Sequence, residues 1–247
     1  LRPVQVALET IAVINRLQPV GVSEISRELD LPKSTVQRTL RSLEEAGWIT
    51  ASEDDRGWSL TVKAGLSVGR ADFAARKLRI AAIPVMEELR RRTSESVYLA
   101  IRHDKQIALV ERLDGINPVG HAWPLWHPGP MHATSLGKAI LAAMPDDDLD
   151  DYLGGPLQKI SALSVVDPER LRAEIRDIRE RGFSTAFQTN WPDENGVGAA
   201  IRNGRGEPFA AISISAPVER VDRERCIEMG ALLVDAARRI SLGLARR

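Results

Sequence analysis

The chain has 247 residues, 43% hydrophobic and 28% charged, with 34 basic residues balanced by 34 acidic ones. That composition fits one large or two modest globular domains and excludes a strongly basic protein that coats nucleic acid by bulk charge. A single cysteine, Cys226, excludes an internal disulfide framework and a cysteine-rich zinc site. With no run of about 18 apolar residues and no charged-then-apolar leader, the expectation is a cytoplasmic protein with no membrane partner.

In residues 4–17, Val4, Ala7, Leu8, Ile11, Ile14 and Leu17 recur at helical spacing. A short second helix is expected over 22–29, capped by Ser23, followed by a tight connection at Asp30-Leu31-Pro32. A third helix over 33–46 stops at Gly47. The segments "WITA" and "WSLT" flank the polar "SEDDRG" as two short strands and a turn. Three helices with a tight second connection, then a two-stranded hairpin, make a winged helix-turn-helix pattern. Ile25, Leu29, Leu31, Val36, Leu40 and Leu43 supply its core. The opposite face of the third helix carries Lys33, Ser34, Thr35, Gln37, Arg38 and Arg41, side chains of the kind that reach phosphates and base edges from the major groove. Ser23 and, in the wing, Arg56 complete the expected contacts with double-stranded DNA.

Residues 1–62 hold seven basic and nine acidic residues, so attraction to DNA depends on where the charges sit. Residues 33–43 hold three basic residues and no acidic one. Residues 63–92, eight basic and three acidic, read as a linker helix with a break or kink near Pro84. From Val97 the texture changes: "VYLAIR", "QIALVERL" and "VGHAWPLW" read as strands, with His103-Asp104-Lys105 as a turn. Helices are expected over 133–144, 146–153 and 168–181, the last with Pro168 near its start and Gly182 after its end. Strands at 183–189, 197–202 and "FAAISISA" precede a closing helix over 223–245. The chain is thus expected to be α+β, with domains at 1–62 and 93–247 joined by a linker helix over 63–92.

The segment "MHATSLGKAILAAM" at 131–144 contains Ser135-Leu-Gly-Lys138, a Ser-x-x-Lys spacing used by serine acylases. A hydrolase or transferase using Ser135 and Lys138 is therefore an alternative reading. It lacks the companion elements: no Ser-Asp-Asn or Tyr-x-Asn triplet occurs, and the only later lysine is Lys159. A phosphate loop fails too, because His132 occupies its first glycine slot and Ala139 follows the lysine. The four histidines show no zinc spacing, and no metal or cofactor is expected. The segment reads more simply as a helix start capped by Thr134 or Ser135, with Leu136, Ile140 and Met144 as its buried face and Gly137 packed against a strand. Lys138 gains nothing from the helix dipole there, so an acidic partner such as Asp114 or Glu111 is expected. A helix N-terminus facing an apolar sheet pocket suits a small organic acid, with Trp123, Trp126, Ser213 and Ser215 as further candidates.

The order and spacing of "LPKSTVQRTLRSLEEAGWI" (31–49), "HATSLGKAILA" (132–142) and "EPFAAISISAPVERV" (207–221) resemble the isocitrate lyase regulator (IclR) family of bacterial transcription factors along essentially the whole chain. The resemblance implies a winged helix-turn-helix, a linker helix and a GAF-like effector domain with a mostly antiparallel sheet. It also implies dimers or tetramers whose DNA binding responds to small metabolites. By that resemblance the effector pocket is lined by Ala133, Thr134, Ser135, Leu136 and Gly137, by the stretch around 186–198 with Trp191, Gly196 and Val197, and by Ser213 and Ser215. Many members carry an acidic pair and then a Gly-[Val/Leu]-x-Cys-like run. This chain reads "AFQTNWPDENGVGAAI", with Ala186, Gln188 and Thr189 near the acidic positions and Gly196 near the cysteine. A third possibility is a GAF-like sensor that acts through protein partners.

Overall fold

The computed structural model describes residues 2–52, 57–69, 73–116 and 123–245. Arg56 lies outside them. The chain forms two compact units, Leu1–Phe73 and Ala74–Arg247. The division falls inside the stretch read as a linker helix, whose described residues are helical over α4 (Val62–Gly69) and α5 (Phe73–Thr93), with residues 70–72 outside the described ones.

The first unit packs α1 (Arg2–Leu17), α2 (Val22–Glu28) and α3 (Lys33–Glu45) with a two-stranded antiparallel sheet, β1 (Ile49–Ala51) and β2 (Trp58–Leu60). Its core joins Val13 and Ile14 of α1 to Ile25 of α2, Val36, Leu40 and Leu43 of α3, and Ile49 of β1. The connection between α2 and α3 is tight because the Ser26 hydroxyl donates to the Leu31 carbonyl at 2.6 Å and Leu31 N–H bonds back to Ser26 O at 3.0 Å. Ser23 does not cap α2: Gly21 holds that position without a side-chain bond, and Ser23 stands exposed in the first turn. The stop of α3 is a Schellman arrangement. Gly47 takes φ +73°, its N–H bonds Glu44 O, and Trp48 N–H bonds Leu43 O.

The second unit is a three-layer sandwich. Its six-stranded sheet has the order β5-β4-β3-β8-β7-β6, every neighbour antiparallel. The strands are β3 (Ser96–His103), β4 (Gln106–Leu113), β5 (Pro128–Pro130), β6 (Ser184–Phe187), β7 (Glu194–Arg202) and β8 (Pro208–Pro217). One face buries Val97, Leu99, Val197, Ile212 and Ile214 against α5 and α9 (Arg223–Ala245). The other buries Tyr98, Ala100, Ile107 and Leu109 against α6 (Ser135–Ala143), α7 (Asp146–Leu153) and α8 (Pro168–Arg181). α8 is bounded by Asp167, whose carboxylate accepts from Arg170 N at 2.8 Å, and by Gly182 at φ +82°.

Two expectations are corrected here. α5 runs unbroken through Pro84. The ring removes the bond to the Ile80 carbonyl, but Ile80 and Pro84 both sit on the exposed face, where water can serve that oxygen. Within "VGHAWPLW", the described residues form a turn rather than a strand. Trp123 Nε1 donates to His127 O at 3.1 Å, Trp126 takes φ +65°, and ladder pairing begins only at Pro128. Pro124 could not donate to a ladder there.

Candidate functional site

In the first unit α3 turns one face into the core and the other outward. Val36, Leu40 and Leu43 are buried, while Lys33, Ser34, Gln37, Arg38 and Arg41 are exposed and Thr35 is half-buried. The four-residue alternation that builds the core therefore clears a polar and basic face around the helix N-terminus. That end has no side-chain cap and no acidic residue in its first turn. Its open N–H groups and positive dipole end suit phosphate contacts.

In the second unit the strands prepare one side of a cavity by period-two alternation. Ser213 and Ser215 point to the α6 side, while Ile212 and Ile214 between them enter the opposite core. Register places Tyr98 opposite Ser213, Gly196 opposite Ser215, and Ala186 opposite Gly196, so all five line one patch. The start of α6 closes over it with Thr134, Ser135 and Leu136. Trp123, Asn190, Trp191 and Glu194 form the rim. The cavity encloses about 30 Å³. That is well below the roughly 300–1,000 Å³ of clefts for drug-sized ligands, and leaves room for a group of only a few heavy atoms.

The α6 end is a donor cluster. Thr134 is the N-cap, and its hydroxyl accepts from Gly137 N at 3.0 Å. Lys138 N–H bonds Thr134 O. The N–H groups of Ser135 and Leu136 remain unbonded among the described residues, as do the hydroxyls of Ser135, Ser213 and Ser215. Gly196 keeps the patch hollow: a Cβ there would sit 2.8 Å from Ser135 Oγ and 3.1 Å from Ser215 Oγ. Within the patch, burial pushes the Tyr98 hydroxyl up to about 12, with the charge of Glu194 adding to the effect, so Tyr98 stays a neutral donor. The loop carrying Asn190 and Trp191 is pinned from three sides. Ser161 Oγ donates to Gln188 O at 2.7 Å, Ser164 Oγ to Thr189 O at 2.8 Å, and Thr189 Oγ1 to Ala133 O at 2.7 Å.

Lys138 takes no part in this patch. Its ammonium is 1% exposed and donates to Glu174 Oε1 of α8 at 2.7 Å and to Thr185 O of β6 at 3.4 Å. The expected partners are engaged elsewhere: Glu111 with Arg79 at 2.7 Å, and Asp114 with Arg112. The amine is thus a charged tether between α6 and its neighbours, and its bonds leave it no role in activating Ser135.

The structure brings together Trp123, Thr134, Ser135, Leu136, Trp191, Gly196, Ser213 and Ser215 of the expected effector residues. It places four elsewhere. Trp126 is 46% exposed in the turn, and Val197 is buried on the α5 and α9 face. Ala133 is buried and does not line the cavity, and Gly137 packs on the Met131 backbone, where a Cβ would meet Met131 Cα at 2.2 Å, rather than against a strand. The close helix-to-strand approach is made by Gly198, against the Ser135 carbonyl. Asn190 and Glu194 belong to the expected stretch around 186–198 without having been singled out, and Tyr98 lies outside every segment expected to line the pocket. The alternation of "VYLAIR" already set Tyr98 on the side opposite Val97 and Leu99. Among the described residues no cluster able to hold a metal ion is present, and no helix is long and apolar enough to cross a membrane.

Comparison with known proteins matches two family models. Residues 4–53 match the IclR helix-turn-helix domain, and residues 72–242 match the bacterial transcriptional regulator IclR C-terminal domain. The HTH-type transcriptional repressor AllR of Escherichia coli strain K12 is 32% identical over 239 residues, covering 95% of this chain and 88% of that protein. The transcriptional repressor IclR of the same strain is 27% identical, covering 90% and 82%. An IclR homologue from Microbacterium hydrocarbonoxydans, solved with 4-hydroxybenzoate, superposes with a TM-score of 0.84 at 24% identity, covering 99% of this chain and all of that one.

Proposed function

We propose, from the premise that this chain belongs to the IclR family of bacterial transcriptional regulators, that a small organic acid bound in the cavity of the second unit controls its grip on DNA. The relatives are transcriptional repressors, not enzymes. The observation that carries the reading is the open α6 N-terminus. Two backbone N–H groups and three serine hydroxyls converge there on one small cavity, a cradle for a carboxylate. The partly apolar walls and the two tryptophans suit a ligand with an aromatic or apolar body, in line with the 4-hydroxybenzoate held by the Microbacterium homologue.

In this reading α3 enters the major groove of a pseudo-palindromic operator, bound by a dimer or tetramer in the cytoplasm. Lys33, Ser34, Thr35, Gln37, Arg38 and Arg41 are the contacting residues, aided by Ser23 and Arg56. Effector binding biases the regulator between operator-competent and incompetent states. A tenfold change in operator affinity requires a coupling of only about 1.4 kcal/mol. The test is a thermal-shift screen of small mono- and aromatic carboxylates, followed by gel shift on the DNA upstream of its own gene. An acid that stabilises the protein and alters the gel shift supports the reading. Binding of operator DNA that no acid of the screen changes counts against it.

A further inference from the structure

The cavity is too tight for the acid it is read to hold. Ser135, Ser213, Ser215 and Tyr98 line it, yet none is more than 6% exposed. An acid with an apolar body enters only if a wall moves. The strands cannot yield without breaking the ladder between them, and α6 is fixed by its Thr134 cap and by the Lys138 ion pair. The wall made by Asn190 and Trp191 is different. It is the loop 188–193, which joins edge strand β6 to β7 beyond their last pair, Phe187 with Asn195.

That loop is held from outside by residues 154–167, which join α7 to α8 and form neither helix nor strand. This segment is itself anchored: Leu157 and Val165 pack on the core shared by α6, α7 and α8, and His132 Nε2 bonds Gln158 O at 2.8 Å. A serine hydroxyl has one proton to give. Ser161 Oγ accepts from Leu163 N at 3.1 Å and donates to Gln188 O at 2.7 Å. Ser164 Oγ accepts from Ile160 N at 3.1 Å and Ser161 N at 2.8 Å, and donates to Thr189 O at 2.8 Å. The segment's own N–H groups thus aim both protons at consecutive carbonyls of the loop.

We infer that residues 154–167 are a strap that keeps the loop shut over the cavity, with Ser161 and Ser164 as its catch, and that the effector enters only when the catch releases. Opening breaks these two bonds and the inner one from Thr189 Oγ1 to Ala133 O, and leaves the sheet intact. The inference rests on the reading of this cavity as the effector site. Access can be measured without any effector, so the two can fail separately.

The test is thiol labelling of the whole protein with N-ethylmaleimide. Ser215→Cys is nearly isosteric and places a reporter thiol on the cavity wall; Ala186→Cys gives a second reporter on the same patch. The native Cys226, buried in the core on the opposite face of the sheet, reports general loosening in the same molecule. When closing is fast, labelling follows the open fraction, and losing one net hydrogen bond raises that fraction about fivefold. In the Ser215→Cys background the reporter should react slowly, and adding Ser161→Ala with Ser164→Ala should speed it about tenfold or more while Cys226 stays unlabelled. Ser161→Thr, which keeps the donor, should label like the parent. Three results overturn the inference: a reporter that already reacts as fast as an exposed thiol, an unchanged rate without the two hydroxyls, or an equal acceleration at Cys226.

Discussion

Lys138 and Glu174 form an ion pair across two helices, Nζ to Oε1 at 2.7 Å, in which the lysine is 1% exposed and the glutamate side chain 25% exposed. The asymmetry decides what each substitution costs. Glu174→Ala leaves an ammonium buried with only the Thr185 carbonyl at 3.4 Å, and should cost about 3 kcal/mol. Lys138→Met leaves a carboxylate that can turn to water, and should cost about 1–2 kcal/mol. The double variant Lys138→Met, Glu174→Leu should recover most of the loss. Urea unfolding of the three proteins checks this order. Equal losses in the two single variants would show that the exposure difference does not govern the pair.

Two glycines of β7 separate binding from folding. Gly198→Ala places a methyl 2.6 Å from the Ser135 carbonyl oxygen, a backbone atom that can yield only by lifting α6, and should lower stability by about 1–3 kcal/mol. Gly196→Ala meets side chains rather than backbone at its nearest contacts: the hydroxyls of Ser135 and Ser215 at 2.8 and 3.1 Å, and Ser135 Cβ in ordinary contact at 3.5 Å. The hydroxyls can rotate, so the fold should be kept while the methyl fills the cavity. Effector affinity should fall at least tenfold with a thermal midpoint near that of the parent. A thermal midpoint lowered as far as that of Gly198→Ala would contradict this division.

The parts of this architecture carried by local periodicity were readable from residue order. Ile212-Ser213-Ile214-Ser215 alternates because one face meets a core and the other a cavity, and Gly47 ends α3 because only a left-handed residue closes that turn. What depends on tertiary placement was not readable. Glu174 is 36 residues from Lys138, and its rotation toward α6 is set by Leu171, Ile175 and Ile178 entering the same core. Trp123 and Trp126 share a residue type three positions apart, yet the backbone reversal between them sends one to the cavity and the other to solvent. Pro84 is a helix breaker by its chemistry, overridden where the lost bond faces water.

His132 makes the second unit sensitive to acid. Its Nε2 donates to Gln158 O at 2.8 Å and its Nδ1 accepts from the Tyr152 hydroxyl at 2.9 Å, an arrangement that fits the neutral ring. Burial, reinforced by the nearby Lys138 charge and partly opposed by the Gln158 bond, holds its pKa below the usual histidine range. The unfolded chain therefore binds this proton more readily than the folded one. Stability is fully present above the unfolded value near pH ~6.5 and is lost as pH falls below it toward the depressed folded value. The thermal midpoint should drop between pH 7.5 and 5.5, and His132→Gln should flatten that slope. An unchanged slope in the variant would assign the acid sensitivity to other groups.

On the DNA side, Arg38 is exposed on the outward face of α3, and its side chain supports no described contact within the fold. Arg38→Ala should leave the thermal midpoint unchanged. If Arg38 reads a base edge, the loss is about 1–3 kcal/mol on the operator and little on unrelated DNA. Lys33 stands at the first turn, where the helix end favours phosphate. Its replacement by alanine should weaken operator and unrelated DNA alike and reduce the dependence of log K on log salt by about 1. Fluorescence anisotropy at several salt concentrations separates the two cases. The assignment of α3 as the reading helix fails if both variants bind operator DNA like the parent at physiological salt.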